Sequence, residues 1–214
     1  MGDDGGAQLV APLPRHVAEA LEHGPQADPA LPEFDSAATL LDHEDQQTEN
    51  GYGRLSDGGL QVSVRTDMPG VTPAMWEWWF GWHGSDARRY KLWHPRAHVS
   101  AQWSDSGADG WYVGRTSLVT EYLGSARTRA AIRFVEPAEL GLSVPADQAA
   151  ICARLGSPDL PVDVGWLIHH VRPSADGRAV SIALAEDVAA IDAAIAAFRA
   201  QALTVLGLAL LVLL

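Results

Sequence analysis

The 214-residue sequence predicts an α+β domain, with antiparallel strands set between helices. Three observations lead there. A tryptophan-crowded run from Met75 to His83 carries the start and stop signals of a helix. Short alternating segments follow between His98 and Ala185. From Glu186 onward the chain is rich in alanine and leucine, the composition of a closing helix.

Taken in order, residues 1–59 read as an acidic, loop-rich lead-in. Between Met1 and Asp67 thirteen acids face three arginines, and breakers recur at Pro12, Pro14, Pro25, Pro29, Pro32, Gly51, Gly53, Gly58 and Gly59. One short helix is expected there, over about His16 to His23. Residues 60–185 form the expected core. Its first helix takes Thr72 as N-cap and Pro73 as its first residue, and Gly81 or Gly84 ends it. The run inside it is too bulky for an exposed loop. Tyr90 to Trp93 then reads as a short turn or strand. His98–Trp103, Trp111–Val113, Ser117–Leu123, Ala130–Val135, Gly165–Val171 and Ala179–Ala185 read as strands, with Asp176-Gly177 as a turn. Residues 186–214 are expected to be an apolar helix.

Composition narrows the function. A formal charge of −12, with Lys91 as the one lysine, argues against unassisted binding to nucleic acid, which needs clustered positive charge. The single cysteine, Cys152, allows no internal disulfide. No basic, apolar leader opens the chain, so a reducing, cytoplasmic setting is expected. The last thirteen residues, Ala202–Leu214, are almost wholly apolar. As a helix they cover about 20 Å, short of a bilayer core of about 30 Å, so a packed helix is expected before a membrane contact. Nothing in the sequence sets an oligomeric state.

Five positions hold the chemistry. His94 and His98 stand four apart, but Pro95 keeps them off one regular helix face. Glu121 sits mid-strand and shares its face with Val119 and Leu123. A carboxylate among apolar neighbours needs a partner or a cation. His169 and His170 follow an apolar stretch, and strand alternation turns one of them inward. Histidine with carboxylate suits zinc or a similar divalent ion.

The stretch Met75-Trp76-Glu77-Trp78-Trp79-Phe80-Gly81-Trp82-His83, continued by Arg89-Tyr90-Lys91-Leu92-Trp93-His94-Pro95-Arg96-Ala97-His98, closely resembles the signature of the diacetylphloroglucinol and phloretin hydrolase family. Ser117–Gly124 and the segment His169-His170-Val171-Arg172-Pro173 also resemble that family. The likeness covers roughly residues 60–181. It implies a zinc-dependent hydrolase that cuts the carbon–carbon bond between an acyl group and a phloroglucinol ring, so the expected partner is a small aromatic ketone. It also implies a helix-grip fold (START/Bet v 1-like), in which a curved antiparallel sheet wraps a C-terminal helix around a cavity.

Carried over by position, the resemblance puts the metal ligands at His98, with His94 as alternate, and at Glu121. Tyr90 falls on a tyrosine that hydrogen-bonds substrate oxygens. The second catalytic position is His170, with His169 as alternate, and Trp79 and Trp93 supply flat walls for the ring. The family's last helix gives two more ligands as a His-x-x-x-Glu pair, yet no histidine follows His170 here. Set against the family pattern, that tail reads as substituted, truncated or out of frame, so an incomplete Zn2+ shell and weak binding are expected.

Overall fold

A computed structural model describes residues 12, 14–27, 51–55, 58–107, 109–123 and 125–173, and the backbone of 179–186. Its strands are β1 (Gly51–Arg54), β2 (Leu60–Asp67), β3 (His98–Trp103), β4 (Thr116–Leu123), β5 (Ala126–Val135), β6 (Ala149–Gly156), β7 (Asp163–Val171) and β8 (Ala179–Glu186). They form one antiparallel sheet in the order β1-β2-β8-β7-β6-β5-β4-β3. From β3 to β8 the chain is a simple meander, and β1 and β2 complete the sheet beyond β8. The expected α+β class is therefore met.

This order decides where the helices lie. β2 and β3 stand near opposite edges, so the chain between them must cross the sheet. It does so as α2 (Pro73–His83), which packs on β6, and α3 (Ala87–Trp93), which packs on β3. Thr72 caps α2 as expected, accepting from the Met75 amide at 3.2 Å with Pro73 behind it. Gly84 follows the helix. Two glycines let it seat closely: a Cβ at Gly81 would come within 2.1 Å of the Gly110 carbonyl oxygen, and one at Gly84 within 2.5 Å of the Trp103 ring. α1 (Arg15–His23) matches the expected lead-in helix.

Both faces of the central strands are buried. On the helix side, Trp76, Phe80, Trp103, Tyr112, Phe134, Ile151 and Val171 form one cluster. On the other side, Cys152, Ala150, Ile168 and Val135 pack against Leu142, from the segment that follows β5. β6 has no polar face, so it lacks the alternation that marks a half-exposed strand, and sequence reading passes over it. β1 lies in the segment read as loops, and its two glycines hide it.

Two expectations are corrected, the turn or strand at Tyr90–Trp93 and the strand at Trp111–Val113. Tyr90–Trp93 belongs to α3, because Asp86 caps that helix by accepting from the Arg88 amide at 2.8 Å. Trp111–Val113 is no strand but leads into a turn at Val113-Gly114: the Arg115 amide donates to the Tyr112 carbonyl, and Gly114 takes a positive φ of 81°. Tyr112 is nevertheless buried. The Asp176-Gly177 turn lies outside the described residues. So does the terminal helix expected from Glu186, apart from Glu186 itself, which closes β8. Among the described residues no helix is long and apolar enough to cross a membrane.

Candidate functional site

Between the helices and the sheet lies a cavity of about 410 Å3. Phe80, His83, Tyr90, Trp93, His98, Val119, Glu121, Phe134, Leu167 and His169 are among its lining residues. It joins ionisable groups to an apolar wall, the general character of a small-molecule site.

The register of β3 and β4 brings the central pair together. His98 lies directly across from Glu121, and an irregularity between His98 and Ser100 adds one residue to β3. That extra residue matters. Ala101 and Val119 face the cavity side, and three residues of regular strand would turn His98 away from Ala101; the bulge turns it back. Glu121, two residues beyond Val119, shares that face without any such device.

Second contacts then fix each group. The Tyr90 hydroxyl donates to Glu121 Oε2 at 2.6 Å. His98 Nδ1 donates to the Tyr90 carbonyl at 2.9 Å, an acceptor in the last turn of α3. A carbonyl can only accept, so the neutral ring carries its proton on Nδ1 and leaves the Nε2 lone pair free. Nε2 stands 3.8 Å from Glu121 Oε2. That is too long for a hydrogen bond, and close to the separation of about 3.4 Å between two ligands of one tetrahedral ion. Orientation of a ligating imidazole by a backbone carbonyl is what metal-binding histidines ordinarily show. His98 and Glu121 thus fit two positions of a zinc shell. Among the described residues no group of three or more His, Cys, Asp or Glu side chains converges to complete it.

Stacked rings build the wall. His98 lies on Tyr90 with centroids 3.8 Å apart and planes 2° apart. Tyr90 stacks on His83 at 5.7 Å, and His83 stacks on Trp79 at 5.2 Å. Trp93 meets both His83 and His98 edge-on. The column holds the polar edges of three rings in a fixed array.

Burial sets the charge states. Desolvation drives His83 down to about 4 and His169 to about 3, so both are neutral at pH 7. His98 is lowered for the same reason, against the opposing pull of the Tyr90 carbonyl and Glu121. Burial, then the adjacent carboxylate, pushes the Tyr90 phenol far above its ordinary value, so it is a hydrogen-bond donor throughout the physiological range.

Three expected positions fall elsewhere. His170 points away from the cavity: it is buried on the other face of β7 and hydrogen-bonds Gln148 Oε1 at 2.6 Å. Its neighbour His169 borders the cavity instead, as strand alternation requires. His94 is exposed, and its Nδ1 accepts from the Ala97 amide at 3.0 Å, which closes the turn into β3. Trp79 does not line the cavity; it backs His83 by stacking and through its carbonyl, while Trp93 does line it. Sequence reasoning missed His83. It sits inside a tryptophan run that reads as core, and only its place at the end of α2, four residues after Trp79, hints at a fixed ring.

Comparison with known proteins follows the same lines. Residues 31–182 match the family model for the DAPG hydrolase PhiG domain. The chain is 29% identical over 184 residues to the 2,4-diacetylphloroglucinol hydrolase of Pseudomonas protegens, covering 77% of this chain and 59% of the relative. It is 30% identical over 171 residues to the enzyme of that name from a Pseudomonas species, covering 71% of this chain and 58% of the relative. With the phloretin hydrolase of Eubacterium ramulus it shares 42% over 98 residues, 44% of this chain and 35% of that one. The chain therefore spans about three fifths of the length of the first two relatives.

Proposed function

This chain belongs to the DAPG hydrolase PhiG domain family, and from that premise we propose that it is a metal-dependent hydrolase cleaving the carbon–carbon bond between an acyl group and a phloroglucinol-type ring. One observation carries the reading: inside an aromatic cavity, the Glu121 carboxylate stands between the Tyr90 hydroxyl at 2.6 Å and the His98 imidazole at 3.8 Å. The relatives' names support the substrate class. The helix-grip arrangement belongs to the same proposal, supported by the long antiparallel sheet and the cavity on its helix side.

His98 and Glu121 would hold the divalent ion, with zinc the best match to their donor chemistry. When bound, such an ion supplies Lewis acidity, which polarises a carbonyl and acidifies water. The chain's own groups do the rest. Trp93 and Phe80 give the ring a flat apolar wall, and Tyr90 holds the carboxylate by its donated hydrogen bond. His169 is a neutral ring at the cavity wall rather than a cationic acid. In the bond change, one water is consumed. Its hydroxyl joins the acyl carbon, the bonding pair leaves with the ring carbon as an enolate stabilised by the ring oxygens, and a proton ends on that carbon.

Turnover of 2,4,6-trihydroxyacetophenone, followed by loss of ketone absorbance with zinc supplied, tests this reading. His98→Ala and Glu121→Ala should each lower kcat/KM by about a thousandfold or more. Absence of turnover in the native chain, or unchanged turnover in both variants, rules it out. A second reading rests on the ligand count: with two converging donors among the described residues, a cavity protein that binds such ketones without cleaving them is favoured if tryptophan fluorescence is quenched and no product forms.

A further inference from the structure

Three imidazoles border the cavity, and the chemistry above gives His83 no part. His83 is buried at the end of α2 and held on both sides, stacked on Trp79 and on Tyr90. Phe80 and Trp93 meet its edges. Its Nδ1 lies 2.7 Å from the Trp79 carbonyl, which can only accept, so the proton is on Nδ1. The other nitrogen, Nε2, is a fixed acceptor on a ring that lines the cavity. We propose that His83 determines specificity by accepting, through Nε2, a hydrogen bond from a hydroxyl of the substrate's aromatic ring.

The argument is one of complementarity. Along the stacked column the polar edges are acceptors: Nε2 of His83, Nε2 of His98 and the Glu121 carboxylate. The column's own donor, the Tyr90 hydroxyl, is already given to Glu121. If His98 and Glu121 hold a cation, the acceptor left over on the column is His83, and its natural complement is an O–H carried by the ring itself. A ring without that hydroxyl leaves a buried acceptor unpaired, and sites of this kind reject such analogues strongly. The rigidity of the stack sharpens the effect, because His83 cannot rotate to find another donor without breaking its bond to Trp79. This inference rests on the reading of the cavity as a site for acylphloroglucinol-type rings, and it adds which ring substituent is recognised and by what.

The test compares binding of 2,4,6-trihydroxyacetophenone with that of 2,4-dihydroxyacetophenone and 2,6-dihydroxyacetophenone, by tryptophan fluorescence titration of the full chain. In the native protein, losing either the ortho or the para hydroxyl, whichever one His83 binds, should weaken binding about tenfold; in His83→Phe the same loss should cost nothing measurable. Because His83 is buried, imidazole 15N spectra of the native chain provide a second readout free of any variant. The Nε2 resonance of His83 should move upfield with the trihydroxy ketone and stay in place with the compound lacking the recognised hydroxyl. Equal costs in native and variant protein, or an Nε2 resonance indifferent to all three ligands, overturns the inference while leaving turnover intact. Failure of the native chain both to bind and to cleave the trihydroxy ketone removes the reading of the site, and this inference with it.

Discussion

Tyr90 is joined to three parts of the site at once. Its hydroxyl holds Glu121, its carbonyl orients His98, and its ring lies between those of His83 and His98. Tyr90→Phe separates these roles, because it keeps the stack and the carbonyl and removes only the donated hydrogen bond. Glu121 is partly open to solvent, so the loss should be modest, about 1–2 kcal/mol in urea unfolding. In a Glu121→Ala background the same change should cost almost nothing further. A cost that persists unaltered in that background would show that the hydroxyl's energetic partner is another group. Residue identity was largely legible here: Glu121 stood out as a carboxylate between apolar neighbours, and Tyr90 and His98 by resemblance. The choice between His169 and His170 was not legible, since both faces of β7 are buried and the sequence carries no inward or outward signal.

At the scale of elements, the site depends on how closely α2 approaches the rest of the chain. Gly81 touches the backbone at Gly110, where a carbonyl oxygen would sit 2.1 Å from an added Cβ. Backbone cannot swing aside as a flexible side chain can, so Gly81→Ala forces the helix outward. It should destabilise the protein by about 1–3 kcal/mol, despite the better helix propensity of alanine. Gly110→Ala is the control, because its Cβ meets nothing within 4 Å. Thermal unfolding of the two variants should differ clearly, and equal midpoints would mean that α2 does not sit this close. The start of α2 was readable from Thr72 and Pro73, whose capping chemistry is local. The bulge that aims His98 was not, because it appears only when β3 is set against β4. The helical state of Tyr90–Trp93 hinged on a short cap at Asp86, which a search for alternation does not weigh.

The whole molecule stores a pH dependence in its buried imidazoles. Desolvation lowers His83 to about 4, His169 to about 3 and His170 to about 4, against an ordinary value of 6.5. Between 6.5 and about 4 the unfolded chain takes up protons that the folded chain refuses. The unfolded state therefore binds more protons, and stability must fall as pH falls through that window; above 6.5 the contribution is fully present. Each group changes stability by about 1.4 kcal/mol per pH unit while the two states differ by one proton. Three such groups acting together approach about 4 kcal/mol per unit, against a typical domain stability of about 5–15 kcal/mol. Cooperative acid unfolding near pH 5 is the expected outcome, measured by far-ultraviolet circular dichroism, with a proton uptake of at least three, since His98 is lowered as well. His170→Gln should lower that uptake by one without abolishing the transition, since its ring lies on the face away from the cavity and bonds only Gln148 among the described residues. A urea-derived stability equal at pH 7 and pH 5 would mean that these rings ionise as freely in the folded chain as in the unfolded one. The cavity could not then be the desolvated compartment on which both the fixed acceptor edges and the proposed chemistry depend.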